Sequence, residues 1–368
     1  MLRLFEVENS MNCRSRLVSA ALASVALTLS VAASAAASTT YVATYGSDAN
    51  SCSLALPCRS FSGALVQTND GGQIVVLDSG GYGPVQIDKS VSIVAAGVYA
   101  GISVFSGKGV EITGAATQVK LSGLTIVTAG GSTDLYGVYA SVPVDLSIEQ
   151  VVISGFSNSS VGMVLCSPQD CLLLGAGTLR MVDSTTYSNG TGINAGPSWK
   201  AVIERSLFVG DYVPANATVA DSLFAFGSSL GLTGFGTAGN GGSVRRSVFS
   251  DNAYYGVFAL GWGAVPVDVS LSRNVFVRSG VGVAIGTGLG GASAIDIDSC
   301  VFADNQRYGI EHTSNDPAAN VTLTNNTIAR NAIGGVLNQF GALIHSRGNN
   351  TVRNNGVDGG PFAPLPGL

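Results

Sequence analysis

Val269-Ser-Leu-Ser-Arg-Asn-Val-Phe276, Ile295-Asp-Ile-Asp-Ser-Cys-Val-Phe302 and Val321-Thr-Leu-Thr-Asn-Asn-Thr-Ile328 are one unit written three times, each copy starting 26 residues after the last. Apolar and polar residues alternate, a small or amide side chain follows, and an apolar residue closes the block. Alternation is the mark of a strand with one buried face. A polar turn then leads to Gly282-Val283, Gly309-Ile310 and Gly335-Val336, so each copy holds at least two short strands. A unit of this length cannot bury its own apolar face, whereas stacking it on its neighbours makes a continuous core.

The closing residue serves as a marker along the chain: Ile126, Ile153, Thr186, Phe208, Phe224, Phe249, Phe276, Phe302, Ile328 and Val352. Spacing is irregular where glycine-rich or polar insertions fall, as at 227–242. Three residues past the marker stand Asn189, Asp211, Asn252, Ser279, Asn305, Asn331 and Asn355. Two before it stand Ser184, Ser206, Ser222, Ser247, Asn274, Cys300, Asn326 and Asn350. In a stack in register these side chains lie above one another at about 4.8 Å, the strand spacing, where amides donate and accept along the column. The expectation is an all-β parallel β-helix of about ten or more coils.

Composition agrees. The 368 residues include 49 Gly and are 46% hydrophobic but only 11% charged. Strand and turn formers outnumber helix formers, which favours an all-β chain. A net charge of -5 with dispersed basic residues argues against a nucleic-acid partner.

Residues 1–37 read as a signal peptide: Arg14 and Arg16 precede the apolar run 17–33, and Ala35-Ala36-Ala37 offers a cleavage site. Glu6 and Glu8 fit a basic leader poorly, which makes Met11 the alternative initiator. The expected location is secreted or periplasmic, with no membrane span once the signal is removed. Residues 38–72 read as the N-terminal cap of the solenoid, 73–358 as the β-helix and 359–368 as a tail. Within the cap, 61–66 reads as a short helix over the open end of the first coil, an end that otherwise exposes core and unpaired strand edge. Cys52 with Cys58 and Cys166 with Cys171 are close enough in sequence for two local disulfides. Cys300 is the odd one and reads as a buried structural thiol. His312 and His345 lie in different copies, so no zinc site is expected.

Tyr41-Val-Ala-Thr44 with Gly46-Ser-Asp48, then Pro57-Cys-Arg-Ser-Phe61, then Ile74-Val-Val-Leu-Asp-Ser-Gly-Gly-Tyr-Gly83 and Lys89-Ser-Val-Ser-Ile93 resemble the opening of secreted bacterial proteins of the pectin-lyase-like superfamily. The likeness covers nearly all of residues 41–355. It implies a right-handed parallel β-helix with a short N-terminal capping helix. The superfamily spans pectate lyases, polygalacturonases, pectin methylesterases, alginate-modifying enzymes, phage tailspikes and passive adhesins, so it does not select an activity. The polygalacturonase set of Asn-Thr-Asp, Asp-Asp, His-Gly and Arg-Ile-Lys is missing, as is the dense aspartate cluster of pectate lyases.

Candidate site residues therefore come from the register. Side chains four and six before the marker point outward, and with the adjoining strand-end residues Asp183, Arg205, Asp221, Arg246 and Arg273 they gather most of the scarce charges on one face between the coils of Ile126 and Phe302. Asp296, Asp298, Arg273, Arg246 and Glu204 are the catalytic candidates: two carboxylates about 6 to 7 Å apart on one strand suit hydrolysis, and a cation beside calcium-binding carboxylates suits β-elimination of a uronate. Trp199, Tyr254, Tyr255 and Trp262 fall near turns, where aromatic rings stack on sugar faces. The functional expectation is a protein that binds extracellular polysaccharide along one face and, if an enzyme, acts as a polysaccharide lyase or glycoside hydrolase. No cofactor is expected beyond calcium. The alternative is a non-catalytic surface or adhesion scaffold.

Overall fold

In the computed structural model the chain winds into three parallel sheets, and each strand pairs with its counterparts one coil before and one coil after. The structure describes residues 37–364 apart from 116, 130–134, 157–159, 166–176, 196–198, 215–216, 228, 235–239, 263–266, 289–292, 314–319, 340–342 and 360–362. Apart from Ala37, the expected signal segment lies outside those residues, as does the Cys166–Cys171 pair. The first, second and third sheets met along each coil contain 14, 12 and 11 strands among the described residues. The expected parallel β-helix is what the chain forms.

The register is the one the repeat implies. In the second sheet the marker residues pair in series from Ile126 to Val352. Because the markers point inward one strand spacing apart, Phe208, Phe224, Phe249, Phe276 and Phe302 stack face to face, with neighbouring centroids 4.6, 4.8, 4.9 and 4.8 Å apart. All five rings are fully buried. In the first sheet, strand Val144–Glu149 buries Val, Leu and Ile and turns Asp, Ser and Glu outward. Alternation in sequence thus becomes an inside and an outside.

Either side of the second sheet the chain turns a corner through one residue in the left-handed region. Three before the marker these include Asp183 (φ 51°), Arg205 (47°), Asp221 (54°), Arg246 (48°) and Arg273 (56°). Two after it they include Phe226 (54°), Asp251 (57°), Arg278 (52°), Asp304 (57°) and Arg330 (57°). Gly123 and Gly210 take the same places in their coils at no steric cost.

These corners explain the polar columns. Before the first corner, backbone N–H groups point to the next coil, as Arg205 N does to Ala220 O at 3.1 Å. After it they point to the previous coil, as Leu207 N does to Ser184 O at 2.9 Å. The amide at the reversal is left with no backbone acceptor, and a buried orphan N–H is costly. The next coil's side chain takes it. Ser184, Ser206 and Ser222 N each donate to the following serine hydroxyl, Ser247 N to Asn274 Oδ1 at 3.0 Å, Asn274 N to Cys300 Sγ at 3.4 Å, and Cys300 N to Asn326 Oδ1 at 2.9 Å. At the second corner Asn305 N donates to Asn331 Oδ1 at 3.2 Å and Asn331 N to Asn355 Oδ1 at 2.9 Å. The amide nitrogens also bind inward, Asn305 Nδ2 to Phe276 O and Asn331 Nδ2 to Phe302 O. Cys300 is a rung of this ladder, 1% exposed, and burial pushes its thiol up to about 11.

The N-terminal end is closed as expected. Helix α1, Phe61–Gln67, buries Phe61, Ala64 and Leu65 against the first coil. Asp48 accepts from Arg59 N, Ser60 N and the Ser60 hydroxyl, and Ser60 Oγ accepts from Gly63 N at 3.0 Å to cap the helix. Lys89 Nζ donates to Leu65 O and Thr68 O at the other end, where carbonyls lack partners. The Cys52–Cys58 disulfide clips the preceding loop.

Two measurements check the ladder. Asn331→Ala leaves the buried Asn305 amide without an acceptor and should cost about 1–3 kcal/mol in urea unfolding. Asp211 occupies a ladder position that other coils give to Asn or Ser. It is fully buried, and burial pushes its carboxyl up to about 6 despite hydrogen bonds from Thr186 and Asn189. A raised folded pKa means its stabilising contribution is present below about pH 4 and lost as pH climbs through about 6. Asp211→Asn should therefore stabilise the protein at pH 7, by no more than about 3 kcal/mol at ~1.4 per pKa unit, with the gain vanishing below pH 4.

Candidate functional site

The outward columns of the first sheet are in register from coil to coil. Ser122, Glu149, Val182 and Glu204 pair in turn, and so, further along, do Arg245, Ser272, Asp298 and Thr324. Lys120, Ser147, Arg180 and Val202 form the column beside the first run. Charges on this face gather in two places.

The first lies toward the N-terminal end. Lys120 Nζ is 2.6 Å from Glu149 Oε2, Arg180 Nη1 is 3.1 Å from Glu149 Oε1, and Arg180 Nη2 is 3.9 Å from Glu204. Thr178 donates to Asp145 at 2.7 Å. Lys120, Arg180, Thr178 and Asp145 line a groove of about 330 Å³, together with Ser92, Gln118 and Ser147, and Glu149 stands beside it as the partner of both cations. The hydrogen bond from Lys120, opposed by partial burial and reinforced by Arg180, holds the Glu149 carboxyl below its usual range. Glu149 therefore stays ionised and fixes both cations. The residue-by-residue reading did not single out Lys120 or Arg180; the signal was two cations in one column bracketing Ser147, with a glutamate in the next.

The second place holds most of the catalytic candidates. Asp296 and Asp298 both face outward from strand Ser293–Asp298, and Asp298 Oδ1 accepts from Asn325 Nδ2 at 3.0 Å and from the Ser299 hydroxyl. Arg273 stands exposed at the adjacent corner, with its backbone N–H on Asp298 O. Arg246 is not available in the same way. Its Nε and Nη2 each donate to Asp221 at 2.7 Å, as Arg205 donates to Asp183. At the other corner Arg278 holds Asp251 and Arg330 holds Asp304. Each arginine's hydrogen bonds keep its aspartate below the ordinary carboxylate range. These pairs are struts between coils. Glu204 belongs to the first cluster, not the second.

The aromatic candidates separate. Trp199 is 1% exposed and packs in the core, so its ring cannot meet a ligand. Tyr254 is 76% exposed, and Tyr255 stacks on Phe258 with centroids 5.2 Å apart. Trp262 ends strand Tyr255–Trp262, and its side chain lies outside the described residues. Among the described residues no group of three or more His, Cys, Asp or Glu could hold a metal ion, and no helix is long and apolar enough to cross a membrane.

A family described as the right-handed β-helix region matches residues 171–357, about half the chain. The chain belongs to the right-handed β-helix family. Among solved structures this β-helix is similar to pectate lyase Pel9A (18% identity, 88% of this chain and 81% of that one, TM-score 0.44). It is also similar to a polygalacturonase from Erwinia carotovora ssp. carotovora (11%, 87% and 92%, 0.45) and to the A-module of the Azotobacter vinelandii mannuronan C-5 epimerase AlgE6 (13%, 79% and 91%, 0.45). At such identities and scores none of these likenesses bears on activity. No curated protein sequence matches this β-helix.

Glu149→Gln checks the charge balance of the groove. A depressed carboxyl stabilises the fold above its unfolded pKa and loses that contribution as pH falls through the folded value. For a partly exposed pair the substitution should cost less than about 1 kcal/mol at pH 7. In urea unfolding the cost should shrink as pH falls below the ordinary glutamate range.

Proposed function

We propose that this protein is exported and binds extracellular polysaccharide along the outward face of the first sheet, entering contact at the groove over Lys120, Ser147 and Arg180. The observation that carries the reading is the lining of that groove. Hydroxyl, amide, cationic and carboxylate side chains alternate along the axis, and the cations are already held by Glu149. Such a surface donates and accepts at every rung, which suits the hydroxyls of a chain-like sugar laid along the solenoid. Export is supported by the leader-like sequence and by the Cys52–Cys58 disulfide.

Cleavage is the finer reading. Asp296 and Asp298 would supply the two carboxylates of a hydrolytic scheme, and Arg273 beside Asp298 would supply the charge neutralisation of a lyase scheme. A passive scaffold is the second reading, favoured by the arginines at the corners being tied to aspartates of neighbouring coils.

One experiment separates these. Purified protein is offered a panel of polysaccharides with and without calcium, and binding, unsaturated ends and reducing ends are measured. Binding should weaken at least about tenfold in Lys120→Ala/Arg180→Ala, as expected for charged hydrogen bonds. Release of new ends that Asp298→Ala abolishes without loss of binding establishes an enzyme. Binding without release establishes a scaffold. No binding to any glycan removes the polysaccharide reading.

A further inference from the structure

The outward face of the second sheet carries a feature that neither the core nor the first-sheet groove uses. Phe226 occupies the second corner with φ 54° and its ring 68% exposed. The equivalent positions before and after it are Gly210 and Asp251, residue types that accept the left-handed region and water. A phenylalanine there bears two costs, a bulky side chain on a left-handed backbone and an apolar ring in solvent. The corner requires a left-handed residue but not a phenylalanine, and an exposed apolar ring kept there points to a ligand.

A second ring stands on the strand face beside that corner. Tyr187 is 43% exposed and pairs with Val209, which pairs with Ala225, the residue before Phe226. The two rings are thus two rungs apart, about 10 Å along the axis at the parallel strand spacing. Between and beside them lie Leu207, Val209 and Leu223. The rims are the corner columns, in which Asp183 with Arg205, Asp221 with Arg246 and Asp251 with Arg278 already neutralise one another. The outward residues of this face are mainly apolar, with Thr185 and Ser250 among them, and the rim charges are paired.

We infer that Tyr187 and Phe226 form a stacking platform for a neutral β-1,4-linked glycan chain laid along the solenoid axis. In such a chain every second sugar presents the same apolar C–H face, and the span of two sugars matches the two-rung separation of the rings. Ring stacking buries those faces and needs no charge on the ligand. The platform is separate from the Lys120–Arg180 groove and does not depend on it.

The test is titration with cellohexaose, read by calorimetry, together with sedimentation of the protein over a range of concentrations. Phe226→Gly and Tyr187→Thr should each weaken cellohexaose binding at least about tenfold while the unfolding temperature holds or rises, because glycine suits the corner and threonine suits a strand. Tyr45→Ser, which removes an exposed ring from the N-terminal cap, should leave cellohexaose binding within about twofold, as distant sites are independent. The inference is overturned if the wild-type protein ignores cellohexaose or if both platform variants bind it unchanged. It is equally overturned if Phe226→Gly abolishes a concentration-dependent dimer, which would make the platform's occupant a second copy of the chain.

Discussion

A backbone N–H that changes direction at a corner, and must still find an acceptor, is the constraint on which this β-helix rests. Within each sheet the coils satisfy one another through main-chain bonds. At the two corners beside the second sheet that pattern reverses, and from the coil of Ile153 onward a buried amide at the corner turns to a side chain of the next coil. Serine, asparagine and one cysteine supply the missing acceptor from the coil above, and asparagine also donates sideways to a marker-position carbonyl. A net gain of about 1 kcal/mol per bond is modest, but the penalty for omission recurs at every coil. From Ser184 onward the polar columns hold this register, whereas the earlier coils place Leu124 and Val151 there, and the phenylalanine column follows, because coils held in this register place their markers one strand spacing apart.

The same corners decide what the surface can do. A left-handed residue turns its side chain outward at the rim between sheets, and there the chain alternates aspartate with arginine in successive coils. Bidentate pairs at 2.7–2.9 Å tie coil to coil on the outside as the amides do on the inside. Charges that look like a catalytic cluster in sequence are in part this outer lacing. What remains for function is the set of charges the lacing leaves over: Lys120, Arg180 and Glu149 at one end of the first sheet, and Asp296, Asp298 and Arg273 at the other.

Much of this was legible in the amino-acid order. Markers from Ile126 to Val352 are true inward neighbours, and Ser122 to Thr324 is a column in register, buried at Val182 and Ala220, because period-two alternation and stacking leave no freedom in which residues meet. The helix over 61–66 and the Cys52–Cys58 clip were legible from local signals, although the first strand begins at Ala37, earlier than Tyr41. Less legible was anything set by side-chain choice. Arg246 and Asp221 stand one coil apart at equivalent corners, and only their rotamers show that they bind each other. Trp199 sits near a turn in sequence, yet its ring folds into the core over the same coil that carries Lys200 outward. The groove between Lys120 and Arg180 joins three coils separated by 27 and 33 residues, and its shape depends on which side chains lean apart.

Residue-resolved hydrogen exchange of the wild-type protein reads the central claim directly. If corner amides are held by side chains of the next coil, the N–H groups of Ser247, Asn274, Cys300, Asn305, Asn326 and Asn331 should exchange as slowly as the strand amides beside them. Exchange at the rate of open turns would mean the ladder does not hold the coils together, and the register, the columns and both proposed faces would fall with it.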